Sequence, residues 1–208
     1  MLQNLHEVQM NVLPGEVATD EVARSSAIFG QSVSAARKSM KMTLKALSDK
    51  TGLSQATLSR IENGLLSVTY DNMIAIANGL GVDVVDLLKK RSAPQKTRRS
   101  ILRKGEGDVY ETEVYRYEML HTDLLSRVMT PIRATLKARS IRDFGSLKAH
   151  SGEEFFVVLS GEVELHAEHY APIKLSAGDS AYFDSTMGHA LLAAGDEDAE
   201  IIWVAAAV

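Results

Sequence analysis

The sequence predicts a multi-domain chain of α and β type, in which an all-α bundle of five short helices precedes an all-β barrel. Three observations carry this expectation. Charge changes sign along the chain, hydrophobic spacing changes from helical to strand-like near residue 108, and a basic stretch separates the two regimes. Residues 26–104 hold 14 Lys/Arg against 5 Asp/Glu, whereas residues 105–208 hold 8 against 18. The net charge of -4 therefore conceals a basic block suited to a polyanion and an acidic block that is not.

At 208 residues the chain can form one large domain or two small ones, and the pattern favours two. With no cysteine, a disulfide framework and a thiolate metal site are both excluded. No apolar run reaches the length of a membrane span. The opening stretch MLQNLHEVQMNVLPGEV lacks a basic region followed by an apolar core, so a cytoplasmic protein with no membrane partner is expected.

Residues 1–25 show no sustained period, and Pro14-Gly15 suggests a mobile arm. From Ser26 to about residue 90 the spacing is helical. Phe29, Val33 and Ala36 mark one buried face. Thr43 is a suitable N-cap for a second helix, with Met42 stapled against Leu47, and Gly52 stands where a left-handed residue ends it. Ser54 caps a third helix, with a Leu53–Leu58 staple, and that helix runs to Asn63 before Gly64. A fourth starts at Thr69 and buries Met73, Ile76, Ala77 and Leu80; a fifth starts at Asp83 and buries Val84, Leu87 and Leu88. Residues 91–107 form a basic linker, the last part of a stretch (89–107) with eight Lys/Arg. Residues 108–208 read as short strands cut by Gly and Asp turns, including Glu154–Ser160, Glu162–Ala167, Ser180–Asp184 and Glu200–Val204.

The tight turn at Gly52 lets two helices cross steeply, which requires a small side chain at Ser48. Burying Leu47, Leu58 and Ile61 leaves Gln55, Ala56, Thr57, Ser59 and Arg60 facing outward. Gln can bond adenine, Arg guanine, and the Ala and Thr methyl groups can touch thymine. Lys41 and Lys45 are placed for phosphate. The stretch TLKALSDKTGLSQATLSRIENG, with TYDNMIAIANGLGVDVVDLL after it, resembles the phage-repressor-like (XRE) helix-turn-helix family over residues 28–88. That resemblance implies a five-helix lambda-repressor-like domain on double-stranded operator DNA. It places Gln55, Ala56 and Thr57 on bases, and Thr43, Ser59, Arg60 and Asn63 near bases or backbone; Lys45 and Ser54 complete the expected DNA-binding set.

The segments AHSGEEFFVVLSGEVEL and LSAGDSAYFDSTMGHALLAAG resemble the two signature motifs of the cupin family, a jelly-roll barrel. The resemblance implies a metal site built from His150, Glu154 and His189. Lys148 occupies the place of a fourth ligand, and Asp184-Ser185-Thr186 replaces the usual Pro-x-Gly. Two imidazoles and a carboxylate can hold Fe, Mn, Ni or Zn; the alternative is a metal-free pocket for an organic ligand. His6, His121, His166 and His169 are read as solvent-facing or hydrogen-bonded. Tyr115 and Tyr117 share one strand face as core or pocket wall, and Trp203 is read as core.

Together the two halves imply a transcription regulator, a homodimer whose cupin domain senses a small-molecule effector. The alternative is an enzyme, because the same architecture resembles the iron-dependent hydroxypropylphosphonic acid epoxidases. In that family positions matching Lys41 and Tyr117 contact substrate, but those that supply a phosphonate-binding Arg and Asn are Val109 and Leu147 here.

Overall fold

The computed structural model describes residues 14–82, 84–88, 98–124, 127–144 and 147–206. Among the described residues five α-helices come first: α1 (Pro14–Ser39), α2 (Leu44–Thr51), α3 (Gln55–Glu62), α4 (Tyr70–Leu80) and α5 (Val84–Leu88). Their local signals act as expected. Thr43 and Ser54 accept the Ala46 and Thr57 backbone N–H groups, and Gly52 (φ 72°) and Gly81 (φ 69°) end α2 and α4 in the left-handed region.

The first helix departs from expectation. It begins at Pro14, so residues 14–25 are helical and not a mobile arm; residues 1–13 lie outside the described residues. Proline is favoured as the first residue of a helix, where its missing N–H has no partner to lose. Ser25 and Phe29 then fasten α1 to the second half of the chain. The Ser25 hydroxyl accepts the Glu111 N–H at 3.1 Å, and Phe29 meets Tyr110 edge-on with centroids 5.9 Å apart.

The first part of the basic linker, residues 91–97, lies outside the described residues, and residues 98–107 contain no helix or strand. Nine strands follow among the described residues: β1 (Asp108–Glu111), β2 (Tyr115–Met119), β3 (Met129–Leu136), β4 (Glu153–Ser160), β5 (Glu162–Ala167), β6 (Ile173–Ser176), β7 (Ser180–Asp184), β8 (His189–Ala193) and β9 (Ala199–Ala206). They form two antiparallel sheets, ordered β1-β2-β3-β9-β4-β7 and β6-β5-β8, the two layers expected of a jelly roll. Tyr115 ties the layers together: its hydroxyl donates to the Leu191 carbonyl at 2.6 Å and accepts the Leu191 N–H at 3.2 Å.

Tyr115, Tyr117 and Trp203 are buried between the layers, with the two tyrosine centroids 5.4 Å apart on one face as alternation requires. Tyr70, the first residue of α4, is buried against them, 5.8 Å from Tyr117 and 5.4 Å from Trp203 between centroids. The helical bundle and the sandwich thus share one aromatic cluster, so Trp203 is core to both.

Candidate nucleic-acid interface and metal centre

The helix-turn-helix is held from inside by packing and from its ends by polar contacts. Leu47, Leu58 and Ile61 are buried. Ser48 donates its hydroxyl to the Leu53 carbonyl at 2.6 Å, so the small residue in the turn also satisfies a backbone oxygen. Arg37, near the end of α1, grips Glu62 at the end of α3 through two bonds of 2.6 and 2.9 Å, and donates a third to the Met42 carbonyl. Burial alone would raise the Glu62 carboxyl. The bonds from Arg37 and Ser34 outweigh it and hold the group below its ordinary value. Gly30 allows this close approach, because a Cβ there would stand 2.1 Å from the Ile61 carbonyl oxygen.

With α3 pinned by its buried face, Gln55, Ala56 and Arg60 are exposed, and Thr57 and Ser59 half-buried. Several predicted contact residues have structural work as well. Ser54 and Thr57 share a hydroxyl bond of 2.8 Å, Asn63 donates its amide to the Ser59 carbonyl, and Lys45 pairs with Asp49 across one turn of α2. Among the described residues Arg60 makes no side-chain bond, which leaves it available to an outside partner. Thr43 and Lys41 are exposed at the turn between α1 and α2, Lys41 with a left-handed φ of 53°. The sequence reading missed Arg37 and Tyr70; the only signal for either was a charged or aromatic side chain beside a helix end.

The predicted ligands in the sandwich do converge. His150 precedes β4, Glu154 lies on its buried face, and His189 opens β8. Backbone bonds set these positions, with His150 N–H donating to Ser185 and His189 N–H to the Lys148 carbonyl, both at 2.9 Å. Nε2 of His150 is 2.9 Å from Glu154 Oε1, Nε2 of His189 is 3.3 Å from Oε2, and the donor atoms of all three residues lie within 4.8 Å of one another. Each Nδ1 faces a carbonyl, Met187 for His189 (2.9 Å) and Ser151 for His150 (3.1 Å). A carbonyl can only accept, so each Nδ1 carries a proton; each Nε2 faces Glu154, donating to it when protonated and, once that proton is lost, turning its lone pair toward the shared point. This is the tautomer that metal-bound histidines adopt. Burial pushes the Glu154 carboxyl up, but its bonds to His150 and His189 prevail and keep it below the ordinary carboxylate value. The donor set fits a divalent first-row cation, with ligand atoms separated about as two bonds of ~2.1 Å at a tetrahedral or octahedral angle require.

A cavity of about 150 Å³ adjoins this site, between α4–α5 and the sandwich. Tyr70, Ile74 and Asn78 form one wall and His150, Ser151 and Ala205 the other. The residues pertinent to an epoxidase lie elsewhere: the Tyr117 hydroxyl accepts the Tyr70 N–H, and Val109 lines a separate cavity with Ser25 and Leu88. His121 bonds Ser100, His166 bonds Glu164, and His169 is exposed; His6 lies outside the described residues.

Comparison with known proteins agrees with this division. A helix-turn-helix family model matches residues 33–87, and a cupin domain model matches residues 143–205. No curated protein matches the sequence. Among solved structures, a helix-turn-helix family transcriptional regulator from Vibrio cholerae superposes with a TM-score of 0.64 at 20% identity, covering 89% of this chain and 98% of that one. Hydroxypropylphosphonic acid epoxidase from S. wedmorenis gives a TM-score of 0.44 at 24% identity, covering 86% and 97%. Among the described residues no helix is long and apolar enough to cross a membrane.

Proposed function

Because the chain joins a helix-turn-helix domain to a cupin domain, we propose that it is a transcription regulator that reads operator DNA with α3 and answers to a small molecule bound in the sandwich. The carrying observation is the outer face of α3. Gln55, Ala56 and Arg60 are exposed there while Leu58 and Ile61 anchor the helix, so the face offers donors, acceptors and a methyl group without any acidic side chain.

The sensing half rests on the shared wall of the 150 Å³ cavity. A molecule there touches α4 and, of the His150–Glu154–His189 cluster, His150. A bound Fe, Mn, Ni or Zn ion would supply a Lewis acid to hold an oxygen or nitrogen donor of the effector. This chain's residues do the rest. Ile74, Val82 and Val84 favour an apolar body, Asn78 and Ser151 can orient a polar end, and Tyr70 carries displacement into the helical domain. A ligand shifts DNA affinity only insofar as it binds the two domain arrangements differently. The reading places the protein in the cytoplasm, where its operator is.

The enzyme reading is supported by the metal-ready cluster alone. The hydroxyl of Tyr117 is engaged with α4, and Val109 and Leu147 offer a phosphonate nothing to bond.

Footprinting on DNA upstream of the protein's own gene tests the proposal, with Arg60→Ala alongside and salt titrated. A discrete protected site, weakened by about 1–3 kcal/mol in Arg60→Ala, is the expected result. Protection indistinguishable from non-specific background in both proteins would overturn it.

A further inference from the structure

Lys148 is a cation placed beside the three candidate ligands. An isolated antiparallel bridge pairs it with His189, whose N–H donates to the Lys148 carbonyl at 2.9 Å. Residues directly opposite in such a pair raise their side chains from the same face, with Cβ atoms about 4.5–5.5 Å apart. The His189 side chain is 1% exposed and aims Nε2 at Glu154, so that face is the inner one. Alternation along the chain agrees. Lys148 and His150 are two residues apart and each partly buried, with exposed Ala149 between them, as in an extended segment that turns one side inward.

Among the described residues the Lys148 ammonium makes no hydrogen bond and no ion pair. The buried carboxylate of the cluster, Glu154, already faces an imidazole with each oxygen, Oε1 toward His150 and Oε2 toward His189. An ammonium has three donors and no lone pair, so Lys148 cannot complete the ligand set. It calls for an acceptor, best a charged one. A divalent ion held by two imidazoles and one carboxylate stays positive, and Lys148 adds to that charge in a partly desolvated place, where unbalanced charge is costly.

We infer that the molecule bound at this site is a small organic carboxylate, selected by the Lys148 ammonium beside the His150–Glu154–His189 cluster. A carboxylate suits the site better than a phosphate or phosphonate. One compact ammonium balances one charge. A dianion calls for a guanidinium fork or several N–H donors, and the side chain of Leu147, next along the chain, supplies none. The inference rests on the sensing half of the proposed function and deepens it by naming the class of effector.

Acetate and acetamide test it on the full chain without DNA. They match in shape, differ in charge, and are small enough that the rest of the effector does not matter. Co(II) serves as the divalent cation, and its visible absorption reports a ligand entering the site. At constant ionic strength acetate should shift that spectrum saturably, and acetamide should not. Lys148→Met should weaken acetate at least about tenfold, the loss of one charge-assisted bond, without lowering Co(II) affinity. Lys148→Arg should restore most of the binding. Circular dichroism identifies a variant that fails to fold, and in that event acetate against acetamide on the parent protein decides. Should Co(II) not bind, the same pair is compared by the melting temperature of the metal-free chain, which only a bound ligand raises. Acetate and acetamide acting alike, or acetate binding indifferent to loss of the ammonium, would overturn the inference. A footprint that persists while acetate fails to bind leaves the operator reading standing, and acetate binding without a footprint does the reverse.

Discussion

The backbone N–H of Tyr70 is bonded not within its own domain but to the hydroxyl of Tyr117, 47 residues away and on the sandwich, at 3.2 Å. Thr69 occupies the N-cap of α4 yet makes no side-chain cap bond. The first turn of α4 therefore relies on a residue of the other domain for one of its orphan donors.

Tyr117→Phe removes that acceptor while keeping the ring. The expected loss is about 1–3 kcal/mol of stability, the cost of a buried donor left without its partner. Hydrogen exchange at the Tyr70 amide should quicken in the variant, because the bond it loses is at the domain junction. Unchanged protection there would show that the bond does not support α4.

Glu62→Gln tests the clamp between α1 and α3. The folded-state carboxyl is held below its ordinary value, so its contribution is present above the unfolded carboxylate range and disappears as pH falls through the folded value. Urea midpoints measured between roughly pH 7 and pH 3 should fall less steeply in the variant, which begins about 2–3 kcal/mol less stable at neutral pH. Parallel curves for the two proteins would mean that other carboxylates set the acid limb.

Ser48→Ala should cost about 1 kcal/mol in chemical denaturation. Alanine fits the helix crossing equally well but leaves the Leu53 carbonyl without the hydroxyl it accepts from at 2.6 Å. A stabilised variant would show that helix propensity outweighs the turn bond.

Glu154→Gln should reduce Mn(II) or Zn(II) affinity at least tenfold by calorimetry, since altering even an outer-shell partner typically costs about 10–100-fold. Added metal should raise the melting temperature of the parent protein and not of the variant, as mass action requires of an ion that binds only the folded state. Equal affinities would favour the metal-free pocket.

Local features were legible in the sequence where local physics decides them. Thr43, Gly52, Ser54 and Gly81 act at their own helix ends, and Leu47, Leu58 and Ile61 follow from the helical period, so α2 through α4 and the outer face of α3 could be read directly. Strands with clear turns, such as Glu162–Ala167 and Ser180–Asp184, appeared with their observed bounds. The start of α1 at Pro14 did not, because Pro-Gly reads as a break when nothing shows that the helix docks on β1.

Sequence alone determined that there are two domains, which residues cap and bury the helix-turn-helix, and which three side chains could serve as ligands, since each depends on neighbours within a few positions or on a motif. Only the tertiary structure decided that His150, Glu154 and His189 meet, that Tyr70 joins the bundle to the sandwich, and that Arg37 closes on Glu62. Those contacts join residues 4 to 133 positions apart through the pairing of strands and the crossing of helices. Strand pairing also decided which alternate residues of β4 and β9 face outward together. A single strand shows that alternation, but only register across four strands makes it a surface.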